Sequence, residues 1–126
     1  MIRQLRCGTE KGFTLIEVMV VIVIIGVLAA IAIPNFLQHR SKGQDSAAIT
    51  AGKNFYNMAL AYFGDGHNGT ITPQDLTRYN PGQDVVCGGS ITSDATGAIS
   101  TSSLTFQHTG SARVFTLDSG GNVTAP

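Results

Sequence analysis

The sequence predicts an α+β protein: a long N-terminal α-helix, its first half membrane-spanning, packed on a small C-terminal antiparallel β-sheet. Three observations predict it. Residues 13–33 read FTLIEVMVVIVIIGVLAAIAI, an apolar run broken only by Thr14 and Glu17. Residues 35–63 continue with apolar side chains at helical spacing. Beyond Asp84 the apolar period falls to two, and glycine pairs punctuate the chain.

The first run sets the frame. At about 1.5 Å per residue it spans roughly 32 Å as a helix, close to the ~30 Å hydrocarbon core of a bilayer. Glu17 is its only charge. A carboxylate at mid-bilayer costs about 2.5–3.5 kcal/mol, and less near an end, so its presence asks for a compensating partner. Overall charge gives little direction. Eight basic and eight acidic residues cancel, and charged residues make up only 13% of the chain. That balance lacks the basic footprint of a nucleic-acid binder, so no specific nucleic acid is expected as partner.

Residues 1–12 (MIRQLRCGTEKG) carry Arg3, Arg6 and Lys11 against Glu10. A basic flank before an apolar segment favours an amino end held in the cytoplasm. Arg40 and Lys42 on the far side weaken that bias. Three readings of residues 1–33 compete. One is a secretory signal cut near Ala30-Ile31-Ala32, although its apolar region exceeds the usual ~7–15 residues. A second is a plain anchor. The third rests on the run KGFTLIEVMVVIVIIGVLAAIAIPNF. It combines a Gly-Phe junction, a glutamate at the fifth place after it, and a glycine and a proline further on.

That run resembles the N-terminus of type IV pilins and their pseudopilin relatives. The resemblance implies cleavage by a prepilin peptidase between Gly12 and Phe13, N-methylation of Phe13, and retention of the helix by the mature chain. Residues 1–12 would be the leader and residues 13–34 the transmembrane and filament-core helix. Glu17 would set assembly register by meeting the terminal amine of Phe13 on another subunit. It implies a structural subunit of a type IV pilus, a homopolymer with other copies of itself, serving adhesion, twitching motility or DNA uptake. Its partners would be the peptidase, the inner-membrane assembly machinery and, before assembly, membrane lipid. The precursor would lie in the inner membrane and the product at the cell surface. The alternative within the same resemblance is a pseudopilin of a type II secretion system. Loss of the leader would remove Cys7 and leave Cys87 alone, so the paired C-terminal cysteines of many pilins are absent.

Gly26, Ala29, Ala30 and Ala32 form a small-residue patch that permits close helix approach; chance in an aliphatic span is the other explanation. Pro34 lacks an amide hydrogen and clashes with the carbonyl four residues back, so it costs ~3 kcal/mol in a helix interior, and Gly26 adds ~1. The stretch between them is the helix's weakest. By resemblance it is expected to give the helix flexibility inside a filament; otherwise it is a kink.

In residues 35–63, Ala48, Ala51, Phe55, Met58, Ala59 and Tyr62 make one stripe and Ile49, Tyr56, Leu60 and Phe63 another. The second either faces neighbouring subunits or widens the core face. The helix is expected to stop at Gly64. Thr72-Pro73-Gln74-Asp75 predicts a short helix to about Tyr79, with Thr72 as cap. Strands are expected around residues 85–87, 103–108 and 114–117, with a short last one at Val123, forming a sheet of three or four strands. Residues 64–126 thus form a loop and a sheeted head. Between Ser90 and Ser103 eight of fourteen residues are Ser or Thr, which reads as a weakly charged surface stretch.

No catalytic constellation stands out. His39, His67 and His108 lie in separate contexts, and Cys87 has no basic neighbour in sequence. The loop Asp65-Gly66-His67-Asn68-Gly69 lacks the ligand spacing and closing glutamate of a calcium loop. The sequence is therefore read as a non-enzyme without metal, cofactor or small-molecule substrate.

Overall fold

The structure is a computed structural model and describes residues 12–125. The expected leader lies outside the described residues except for Gly12. Two compact units divide the chain, Met1–Leu37 and Gln38–Pro126. A single helix, α1, runs Leu15–Gly64. Seven strands follow: β1 Thr70–Ile71, β2 Val85–Gly88, β3 Ile91–Ser93, β4 Ile99–Ser102, β5 Leu104–His108, β6 Val114–Leu117 and β7 Val123–Thr124.

In the first unit the helix starts at a cap. The Glu17 amide donates to Thr14 Oγ1 at 3.3 Å and to the Thr14 carbonyl at 3.1 Å. Thr14 and Glu17 are spaced as a capping box, in which a Ser or Thr satisfies the amide three residues on. Glu17 also lies in the first turn, where a negative charge offsets the helix dipole. Gly12 and Phe13 remain outside the helix. Gly26 and Pro34 both sit inside α1, which runs unbroken through them.

In the second unit the helix turns one face to the sheets. Asp45, Ala48, Ala51, Gly52, Phe55, Ala59 and Phe63 are its buried residues, spaced by three and four as one helical face requires. Of the two sequence stripes, the second widens the core: Phe63 is buried and Ile49 and Tyr56 pack against the cluster, while Leu60 stays exposed. Met58 and Tyr62, assigned to the first stripe, are only half-buried.

The strands form two antiparallel sheets, β2-β5-β6-β7 and β1-β3-β4. In the larger one Leu104 pairs with Leu117 and Phe106 with Phe115. Directly opposed residues share a face, so all four reach the core together. Phe106 lies on bare helix backbone: a Cβ added at Gly52 would stand 2.8 Å from its ring. Tyr56 ties the far side, donating through its hydroxyl to the Ser119 carbonyl at 2.9 Å.

Two expectations need correction. The smaller sheet occupies the Ser/Thr-rich stretch read as surface. Ile91 is fully buried and Ile99 packs against the core; between them Thr96 is exposed, the Thr92 hydroxyl bonds to that of Thr70, and buried Ser93 accepts from the Gly69 amide. Nor does a helix form at residues 72–79. Asp75 Oδ2 accepts from both the Thr72 amide (2.7 Å) and its hydroxyl (2.8 Å), and the Asp75 amide returns to the Thr72 carbonyl at 3.1 Å. This closes a turn, and a second turn from Leu76 to Tyr79 follows it.

Gly89 couples the two sheets. Its φ is +86°, and a Cβ there would stand 2.1 Å from the Ser103 carbonyl oxygen. Gly89→Ala is expected to destabilise the fold by about 1–2 kcal/mol from left-handed backbone strain alone, with the clash adding to it. Denaturant unfolding of the full chain in detergent, followed by near-UV circular dichroism, checks this.

Three aspartates organise the exposed turns. Asp94 Oδ1 accepts from the Thr96 hydroxyl (2.6 Å) and amide (2.8 Å) and from the Ala98 amide (3.0 Å). Asp118 Oδ1 accepts from the Asn122 and Gly120 amides at 2.8 and 2.9 Å. Bonds from Thr96 hold the Asp94 carboxyl below its ordinary 3.8, bonds from Asn122 do so for Asp118, and bonds from Thr72 for Asp75. The unfolded chain therefore takes up protons first as pH falls. The turns' stabilisation is fully present above 3.8 and is lost as acidification continues through the lower folded-state values. An acid titration should show no loss attributable to these three groups near neutrality, with carbonyl NMR placing their midpoints below ordinary aspartate.

Candidate functional site

Among the described residues the N-terminal helical surface is left without packing partners. Every large apolar side chain from Phe13 to Leu37 is at least half exposed. Fully burying one such side chain is worth about 1.5–3 kcal/mol, so leaving all of them wet carries a penalty of tens of kcal/mol. The helix is long and apolar enough to cross a membrane by length and composition. Such a surface calls for apolar surroundings.

The sequence-predicted residues fall along this surface in order. Gly12 and Phe13 are exposed and non-helical, immediately before the Thr14 cap. Glu17 is exposed within the first turn, one turn from the junction. Gly26 opens onto free space: a Cβ there would meet nothing within 4 Å. Pro34 lies two turns further along α1. The structure thus sets Phe13 and Glu17 close in the chain and leaves both uncovered.

Cys87, His67 and His108 are engaged in local contacts. Cys87 Sγ sits 3.4 Å from the Tyr79 hydroxyl, which donates to the Ala51 carbonyl at 3.0 Å. Burial pushes both the Cys87 thiol and the Tyr79 phenol up in pKa, which disfavours a nucleophilic thiolate. His67 stacks on Tyr62 with ring centroids 4.3 Å apart. His108 Nδ1 accepts from the Gly110 amide at 3.0 Å. Among the described residues no group of three or more His, Cys, Asp or Glu is gathered to hold a metal.

Sequence reasoning missed one polar cluster. Asp45 is buried, accepting from the Ser111 hydroxyl at 2.6 Å and pairing with Arg113 Nη1 at 3.4 Å. A signal existed: Asp45 falls three residues before Ala48, on the face that continues through Gly52, Phe55 and Ala59. Its charge made a solvent position look natural.

Comparison with known proteins places the N-terminal segment. The family description "Prokaryotic N-terminal methylation motif" matches residues 8–33. The type IV major pilin protein PilA of Myxococcus xanthus is 47% identical over 56 residues, 44% of this chain and 26% of that protein. The type IV major alpha-pilin of Moraxella bovis is 52% identical over 56 residues, 42% of this chain and 35% of that one. The type II secretion system core protein G of Escherichia coli is 40% identical over 67 residues, 53% and 46% of the two chains. The likeness therefore spans less than half the length of each of these relatives. No solved structure matches the chain.

Proposed function

We propose that this chain, whose N-terminal segment matches the methylation motif and type IV pilins, is a structural subunit of a type IV pilus. The observation that carries this reading is the uncovered apolar helix with one acid in its first turn. In this scheme a prepilin peptidase cuts between Gly12 and Phe13, and the new Phe13 amine is methylated. The precursor waits in the inner membrane, and assembly machinery transfers it into a growing surface filament used for adhesion, twitching motility or DNA uptake.

The physics of transfer follows from the helix. Lipid tails are as apolar as leucine, so helix association within the bilayer has little hydrophobic drive. An opposite charge supplies direction. The Phe13 amine of one subunit and Glu17 of another, at about 4 Å and an effective dielectric near 20, attract by about 4 kcal/mol before desolvation is subtracted. Only one stagger of two rods brings them together, so the pair selects register. In the filament Gly26 and Pro34 mark the segment where the helix gives most easily.

A pseudopilin of a type II secretion system is the second reading, favoured by the core protein G relative. N-terminal sequencing and intact mass of the cell-derived protein test the shared part. A methylated Phe13 start supports it, and a start near Ile33 replaces it with secretion. Electron microscopy of sheared surface material then separates long pili from short pseudopili.

A further inference from the structure

We propose that the two ends of the second unit are complementary docking surfaces, with Arg40, Lys42 and Arg113 of one copy seated on Asp65 and Asp94 of a second copy. The inference rests on the reading of the chain as a homopolymer subunit. It adds a contact between second units to the Phe13–Glu17 pair.

Charge is segregated along the helix of this unit. Near its start Arg40 and Lys42 are exposed. Arg113 is held alongside by Asp45, yet its side chain remains 70% exposed. Asp45 itself is buried and engaged, Oδ1 by Ser111 and Oδ2 by Arg113. The exposed acid on this side is Asp84, whose carbonyl accepts from the Thr109 amide at 2.7 Å. At the far end the signs reverse. Asp65 directly follows Gly64, the last residue of α1. Asp94 opens the turn between β3 and β4, which reaches the same end: a Cβ at Gly97 would stand 3.1 Å from the Phe63 carbonyl oxygen. The unit's other charges, Lys53 and Arg78 against Asp75 and Asp118, cancel.

Neither end is satisfied within one chain. A helix C-terminus carries partial negative charge and is stabilised by cations, yet the last turn of α1 holds no basic residue. His67, at this end, gives Nδ1 to the Tyr62 carbonyl at 3.1 Å and stacks on the Tyr62 ring. Among the described residues no ion pair reaches Asp65 or Asp94. Asp94 Oδ1 takes three hydrogen bonds, which leaves Oδ2 free to accept. At the basic end, Arg40 and Lys42 oppose the orientation bias of residues 1–12, so insertion gives no reason for them. A second copy shifted along the helix answers both ends. From Lys42 to Asp65 the helix advances roughly 35 Å at about 1.5 Å per residue. A shift of about that length brings base onto tip with both copies pointing the same way, and the helix dipoles then align head to tail.

The test uses filaments of the full chain sheared from cells and carrying Ser41→Cys and Ala95→Cys in a Cys87→Ser background. Ser41 lies between Arg40 and Lys42, and Ala95 follows Asp94; both are exposed, so every charge is kept. Each copy offers one base and one tip. Oxidation is therefore expected to give a ladder of linked dimers, trimers and longer multiples on non-reducing gels, and either cysteine alone nothing beyond a dimer. Filaments that form without a ladder overturn the proposal and leave the pilus reading standing. A second arm reverses the base. Exposed ion pairs are each worth up to about fivefold in association, so Arg40→Glu with Lys42→Glu should cut filament yield at least about fivefold at an unchanged membrane pool. Adding Asp65→Lys should recover about half of that loss. Full yield from the reversed base, or no recovery on adding Asp65→Lys, also overturns the proposal. A parent chain that inserts in the membrane but never polymerises refutes the pilus reading itself, and the docking falls with it.

Discussion

Glu17→Gln is expected to cut assembled fibre at least about tenfold while membrane insertion is unchanged or slightly improved. Glutamine suits this position in a capping box as well as glutamate does, so the helix start set by Thr14 is retained. What disappears is the charge. If Glu17 served only the helix dipole, its loss would cost about 0.3–1 kcal/mol of local helix stability and fibres would still form. If it selects register through the Phe13 amine of a neighbour, removal forfeits most of a ~4 kcal/mol attraction, and staggers become nearly degenerate. Quantifying sheared filaments against the membrane pool decides between them. Normal fibre yield from the glutamine variant sinks the register role.

Phe106→Ala is expected to destabilise the second unit by about 3–5 kcal/mol, a large part of the ~5–15 kcal/mol that holds a typical domain together. Phe106 is 1% exposed, pairs with Phe115 across the strands, and rests on Gly52. The helix face beneath it carries Ala48, Ala51, Gly52 and Ala59, with Phe55 as the large neighbour. Phe55 is already packed edge-on against Tyr79, so the vacated space closes only in part and the cost falls within that range. Guanidinium unfolding of the full chain in detergent, read by near-UV circular dichroism, measures it. A loss under ~1.5 kcal/mol would mean that the sheet settles onto the helix.

These two residues also show how far sequence carried. Glu17 stood out because a lone charge in twenty-one apolar residues has no bland setting, and the cap at Thr14 lay beside it. Phe106 was legible through alternation with Thr105 and Gln107. The helix and the larger sheet followed from period alone. The smaller sheet did not, because its strands are two to four residues long and supply few inward side chains, chiefly Ile71, Ile91 and Ile99. Cross-strand bonds such as that between the Thr70 and Thr92 hydroxyls, 2.8 Å apart, involve partners more than twenty residues apart, beyond any local pattern. The expected helix at residues 72–79 failed for a similar reason. The Thr-x-x-Asp spacing that caps a helix also closes a turn, and no apolar periodicity follows Pro73 to extend it. Asp45 was hidden because only Ser111 and Arg113, distant in sequence, make its burial tolerable.

The placement of buried side chains has a practical corollary. Among the described residues all of them lie between Asp45 and Leu117. A recombinant fragment opening at Gln38 would sacrifice no interior packing and would shed the greasy stalk, so it should stay dispersed in plain buffer without surfactant and offer crystallographers a tractable starting point.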